Sequence, residues 1–117
     1  MEQELVNLLE FYAGYQCLEC DGLTRILHTI LCEQGIEHTT YVGQVYDRLK
    51  EQEAPIQFWL DLSPELRVDY RLQRWFGSND NIPHGIFNPS RFPLIRYDGD
   101  AVTLPVLPKS LIKAMLC

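Results

Sequence analysis

Residues 3 to 12 place Leu5, Val6, Leu8, Leu9 and Tyr12 at helical spacing, which predicts an amphipathic helix because residues three and four apart share a face. The run Ala13-Gly14-Tyr15 ends it. A second helix is predicted from about Cys20 to Gln34, where Leu23, Ile26, Leu27, Ile30 and Leu31 form a broad apolar stripe. Gly35 suits its stop. Thr39 to Tyr46 is rich in β-formers and predicts a strand. The charged stretch Asp47 to Glu53 interrupts it, as a loop or a short helical turn. Pro55 opens a strand through Leu62, and the turn Ser63-Pro64-Glu65 leads to a short strand near Leu66 to Tyr70, so the pair reads as a hairpin. From Leu72 to Phe92 no period holds. Trp75 and Phe76 are expected to be packed, whereas Asn79, Asp80, Asn81, Pro83, Gly85, Asn88 and Pro89 signal irregular backbone. Leu94 to Tyr97 reads as a strand followed by a turn at Asp98-Gly99-Asp100, and Pro108-Lys109-Ser110 opens a last helix.

Composition bounds this picture. A chain of 117 residues suits one domain, 1–117, and is long enough to bury a core without metal or disulfide staples. Hydrophobic residues are 46% and charged residues 22%, a globular balance. The formal charge of -6 argues against a nucleic-acid partner, whose phosphates call for Lys and Arg. No segment approaches the roughly 20 apolar residues of a membrane span. The opening Met1-Glu2-Gln3-Glu4 is unlike a secretory signal. The expectation is therefore a cytoplasmic chain, without a membrane segment, whose four cysteines are thiols.

Candidate chemistry begins at Cys20, at the entrance of the second helix. Free N–H groups and the helix dipole favour negative charge there, so a thiol can become a nucleophile and an oxyanion can be held. Cys20 can equally pack as a small apolar residue. Asp21 beside it opposes thiolate formation.

The segment from Cys20-Asp21-Gly22-Leu23-Thr24-Arg25-Ile26-Leu27 to Cys32-Glu33-Gln34-Gly35-Ile36 resembles the nucleophile helix of the transglutaminase-like (papain-like) cysteine-hydrolase superfamily. Gly35 lies 15 residues after Cys20, and Gly43, on the following strand, 23 after it. Gln57-Phe58-Trp59-Leu60-Asp61-Leu62 and Arg67-Val68-Asp69-Tyr70 then stand where that family carries its histidine strand and its aspartate. The resemblance spans roughly residues 15 to 76. It implies an α+β fold with a papain/transglutaminase-like core, the nucleophile helix packed on a small antiparallel sheet. It implies Cys20 as nucleophile and Asp69 as orienting carboxylate, on an amide-type bond of a peptide or protein. Gln57 takes the histidine position. A glutamine amide hydrogen-bonds but is no base near neutral pH, so ordinary triad catalysis is impaired. The chain is then either a cysteine hydrolase or acyltransferase with an atypical partner, or a silent binding module on the same fold. A third possibility is that the register assigned to these residues is wrong.

Three histidines are candidates for the missing base. His28 lies about 12 Å along the helix from Cys20 and does not reach it. His38 begins the next strand, at a surface or edge. His84, in Ile82-Pro83-His84-Gly85-Ile86, sits on a loop that could fold over a cleft. Cys17-Leu18-Glu19-Cys20 is a lone C-x-x-C, a weak redox or zinc signal. Joining Cys20, His28 and Cys32 in one zinc site would demand ligands about 18 Å apart on one helix, so neither a metal nor a cofactor is expected. Phe58, Trp59, Trp75 and Phe76 read as core more readily than as a cleft lining. Arg67, Arg71 and Arg74, interspersed with Glu65 and Asp69, read as a solvated face.

Overall fold

The computed structural model describes residues 2–117. Two helices come first, α1 (Gln3–Ala13) and α2 (Cys20–Glu33). Strands β1 (Thr39–Asp47), β2 (Gln52–Ser63) and β3 (Leu66–Asp69) follow as a meander. A short helix α3 (Gln73–Phe76), strand β4 (Gly85–Phe87), a 3-10 turn (Pro89–Arg91), strand β5 (Ile95–Ala101) and helix α4 (Lys109–Met115) complete the chain. The sheet is antiparallel throughout in the order β4-β3-β2-β1-β5. The result is an α+β architecture with helices on one five-stranded antiparallel sheet.

Strand alternation gives the sheet two apolar faces. On one, Leu60 and Val68 pack with Leu23, Ile26, Leu27, Ile30 and Leu31 of α2, and Leu9 of α1 joins them. On the other, Val45, Ala54 and Trp59 meet Leu72, Phe76 and Ile82, with Tyr41 and Tyr97 alongside. The apolar stripe of α2 thus faces the sheet, as its spacing predicts.

Four local expectations are corrected. Pro55 does not open β2 but lies inside it. Gly43 faces Gln57 while Val45 faces Ala54, so Pro55 and Ile56 stand opposite Gln44 alone, a bulge of the kind that tolerates a residue without an N–H. Asp98-Gly99-Asp100 is no turn: β5 runs straight through it with Gly99 opposite Gly43. A Cβ on Gly43 would lie 2.4 Å from Gly99 Cα, and one on Gly99 would lie 2.7 Å from the Trp59 ring. These glycines serve close approach, not reversal. The irregular stretch after Leu72 holds the three-residue β4, too short to show a period. Finally, Cys17 and Cys117 are not thiols: they form a disulfide across a sequence separation of 100, with Cα atoms 6.0 Å apart. Only Cys20 and Cys32 remain free.

Among the described residues no helix is long and apolar enough to cross a membrane.

Candidate functional site

The site forms where β3 ends while β2 continues. Asp69, the last residue of β3, turns the chain: its Oδ1 accepts from the main-chain N–H groups of Arg71 (2.9 Å) and Leu72 (3.0 Å). This Asx-type cap starts the turn into α3. Gln57, on β2, shares its face with Trp59 two residues on and is fully buried. Its Nε2 donates to both Asp69 oxygens, at 2.9 and 3.1 Å. Its Oε1 accepts from Trp75 Nε1 at 3.1 Å. Tyr97, from the far edge strand β5, donates its hydroxyl to Asp69 Oδ2 at 2.9 Å.

Asp69 therefore receives five hydrogen bonds and gives none. Burial nevertheless pushes its carboxyl above the ordinary range, against the pull of the Arg71, Gln57, Tyr97 and Leu72 donors. Tyr97 titrates well above the usual phenol range, first because it is buried and then because the Asp69 charge faces it.

Cys20 is the first residue of α2, whose cap residue Glu19 makes no side-chain capping bond. The thiol is half-buried and lines a cleft of about 250 Å³ together with Glu19, Gln57, Arg71, Arg74 and Trp75. Burial pushes the Cys20 thiol above its usual range, and the Asp69 and Asp21 charges add to this. A hydrogen bond to the Phe58 main chain pulls the other way. Burial and the two carboxylates prevail over the favourable helix entrance, so the neutral thiol dominates near neutral pH.

The four residues singled out by sequence separate into two groups. Cys20 and Gln57 share the cleft, with Asp69 behind Gln57. His84 is exposed, packs edge-on against Tyr70 with ring centroids 5.5 Å apart, and borders a different and larger groove. That groove, about 870 Å³, runs between α1 and the β3–β4 edge, with Glu10, Gly14, Tyr70, Arg71 and His84 in its walls. Tyr70 is 8% exposed, and its hydroxyl makes no hydrogen bond among the described residues.

Sequence reasoning missed three participants. Arg71 is not part of a solvated face: it is 4% exposed and donates to the carbonyls of Leu18 (2.7 Å), Ala13 (2.9 Å), Tyr15 (3.1 Å) and Tyr70 (3.1 Å). It thereby ties the loop before Cys20 to the end of β3. Its two neighbours are also engaged, Arg67 with Asp61 at 2.7 Å and Arg74 with Glu19 at 3.0 Å. Trp75 is 47% exposed rather than packed, yet its indole N–H fixes Gln57. Tyr97 lies 28 residues from Asp69, so no local spacing announces it.

Comparison with protein-family models, with curated proteins and with solved structures returned no match for this chain.

Proposed function

We propose that this chain is a catalytically silent binding module of the transglutaminase-like, papain-like kind, with a cysteine-hydrolase constellation in which Gln57 replaces the base. The observation that carries this reading is the engagement of both ends of the Gln57 amide. Nε2 is held by Asp69 and Oε1 by Trp75. The amide is thus a structural bridge between carboxylate and indole, with no proton-accepting nitrogen to offer Cys20. The suppressed acidity of the Cys20 thiol agrees with this.

A binding role finds support in the larger groove. Tyr70 lines it beside Glu10, Arg71 and His84, so the groove offers an aromatic face together with charged and polar groups. The partner is a peptide or protein rather than a nucleic acid, in keeping with the charge of -6. A cytoplasmic setting belongs to the same reading. There the glutathione pool would hold Cys17 and Cys117 as thiols, so intact-mass counting of alkylatable thiols in freshly extracted protein tests it. Four thiols would support the cytoplasm, and two would point to an oxidising compartment.

The competing reading, a cysteine hydrolase or acyltransferase, has in its favour the place of Cys20 at the start of α2. A panel of amide and thioester substrates offered to the unmodified protein and to Cys20→Ala separates the two. The silent module predicts identical, background rates. Turnover that disappears in Cys20→Ala would establish the hydrolase instead.

A further inference from the structure

A second cluster of reactive side chains lies at the opposite end of α2. His28 and Cys32 are four residues apart and share one helix face. The helix then closes in a Schellman motif: Ile36 N–H donates to Leu31 O (2.9 Å), Gly35 N–H to Cys32 O (3.1 Å), and Gly35 takes a φ of +68°. This reversal returns the chain alongside the helix it has just left, and it sets His38 against His28. The ligand atoms of His28, Cys32 and His38 all lie within 4.8 Å of one another, with both histidines half-buried and the cysteine exposed.

The details suit a cation. His38 Nδ1 sits 2.8 Å from the Ile36 carbonyl, which only accepts. The proton therefore resides on Nδ1, and Nε2 presents its lone pair. Such a main-chain carbonyl behind an imidazole is the usual support of a metal-bound histidine. That lone pair points at His28 Nδ1, 2.7 Å away. Cys32 Sγ stands 3.9 Å from the same Nδ1. Ligand atoms on one tetrahedral zinc are about 3.4–3.6 Å apart, given bonds of about 2.0–2.3 Å. Parting the two rings by less than about 1 Å and drawing the Cys32 sulfur inward would admit the ion.

We propose that His28 Nδ1, His38 Nε2 and Cys32 Sγ form a Zn2+ site, with its fourth position open to water. The thiolate and two imidazoles match the borderline-soft character of zinc, and the acidic hard cations would find no carboxylate there. Without the ion, His28 Nδ1–H donates to the His38 Nε2 lone pair; on binding, this proton passes to His28 Nε2 and the Cys32 thiol proton leaves to solvent. The site uses none of the residues around Cys20, so it stands or falls separately from the silent-module reading. It would clip the end of α2 to the start of β1 across the Gly35 reversal.

The test uses the full chain, free of any affinity tag and stripped of metal by a chelator. Zn2+ is titrated calorimetrically, and Co2+ is then added as a spectroscopic probe. The expected result is one ion per chain, a thiolate-to-cobalt charge-transfer band, and d–d bands of tetrahedral intensity. Cys32→Ser and His38→Gln should each weaken Zn2+ binding by at least about tenfold, while Cys20→Ala leaves it unchanged. Circular dichroism confirms that each variant is folded, and the exposure of Cys32 makes its serine variant the safest. No binding by the unmodified chain, binding that survives both ligand substitutions, or a Co2+ complex lacking the charge-transfer band would overturn the proposal.

Discussion

At the residue scale, the decisive group is the Gln57 amide. It is buried, and it satisfies both a carboxylate and an indole. Replacing it with alanine strands the Asp69 charge in the interior and frees Trp75, so Gln57→Ala should cost about 2–4 kcal/mol in urea unfolding. Gln57→His is expected to fold, since an imidazole N–H can still donate to Asp69. Cys20 supplies a second measurement. A thiol whose folded pKa is raised holds less thiolate at neutral pH, so in chelator-stripped protein iodoacetamide should alkylate Cys20 more slowly than the exposed Cys32 at pH 7. The Cys20 rate should keep climbing as the pH is raised well above neutrality. Faster labelling of Cys20 would contradict the environment described.

At the scale of elements, the long periodic segments were legible. The α2 stripe, the β1 run and β3 stand within a residue of their predicted bounds, and β2 begins three residues before the Pro55 expected to open it. Local pattern failed where tertiary contact overrode it. Asp98-Gly99-Asp100 carries turn chemistry, yet Gly99 is needed so that β5 can approach Gly43 and the Trp59 ring. Gly43→Ala should therefore destabilise the β1–β5 pairing by about 3 kcal/mol, read as a lowered urea midpoint with unchanged slope. The candidate site divides in the same way. Cys20, Gln57 and Asp69 lie on elements whose order the sequence reveals, and the structure draws them to one place. Arg71, Trp75 and Tyr97 reach the site by side-chain contacts that no spacing encodes. His28 and His38 are ten residues apart with the Gly35 reversal between them, so their pairing too is hidden from local spacing.

At the scale of the whole molecule, the Cys17–Cys117 bridge links the loop before α2 to the segment beyond α4. A closed loop of this length restricts the unfolded chain by about 4.7 kcal/mol in the chain-entropy model. Reduction with a phosphine should therefore lower the melting temperature substantially, and Cys17→Ser should reproduce the reduced value without a reductant. A reduced protein that melts where the oxidised one does would show that the bridge contributes little.

The hydroxyl that Tyr97 lends to Asp69 has a consequence in time. A ribosome delivers α1, α2 and the β1–β3 meander well before β5, so a nascent chain halted ahead of Tyr97 lacks one of the five donors its buried carboxylate requires. The cleft around Cys20 and Gln57 is consequently finished only once β5 has followed the meander. A chain cut short at residue 90 should remain protease-sensitive through β2 and β3, whereas a chain that carries β5 should resist cleavage there.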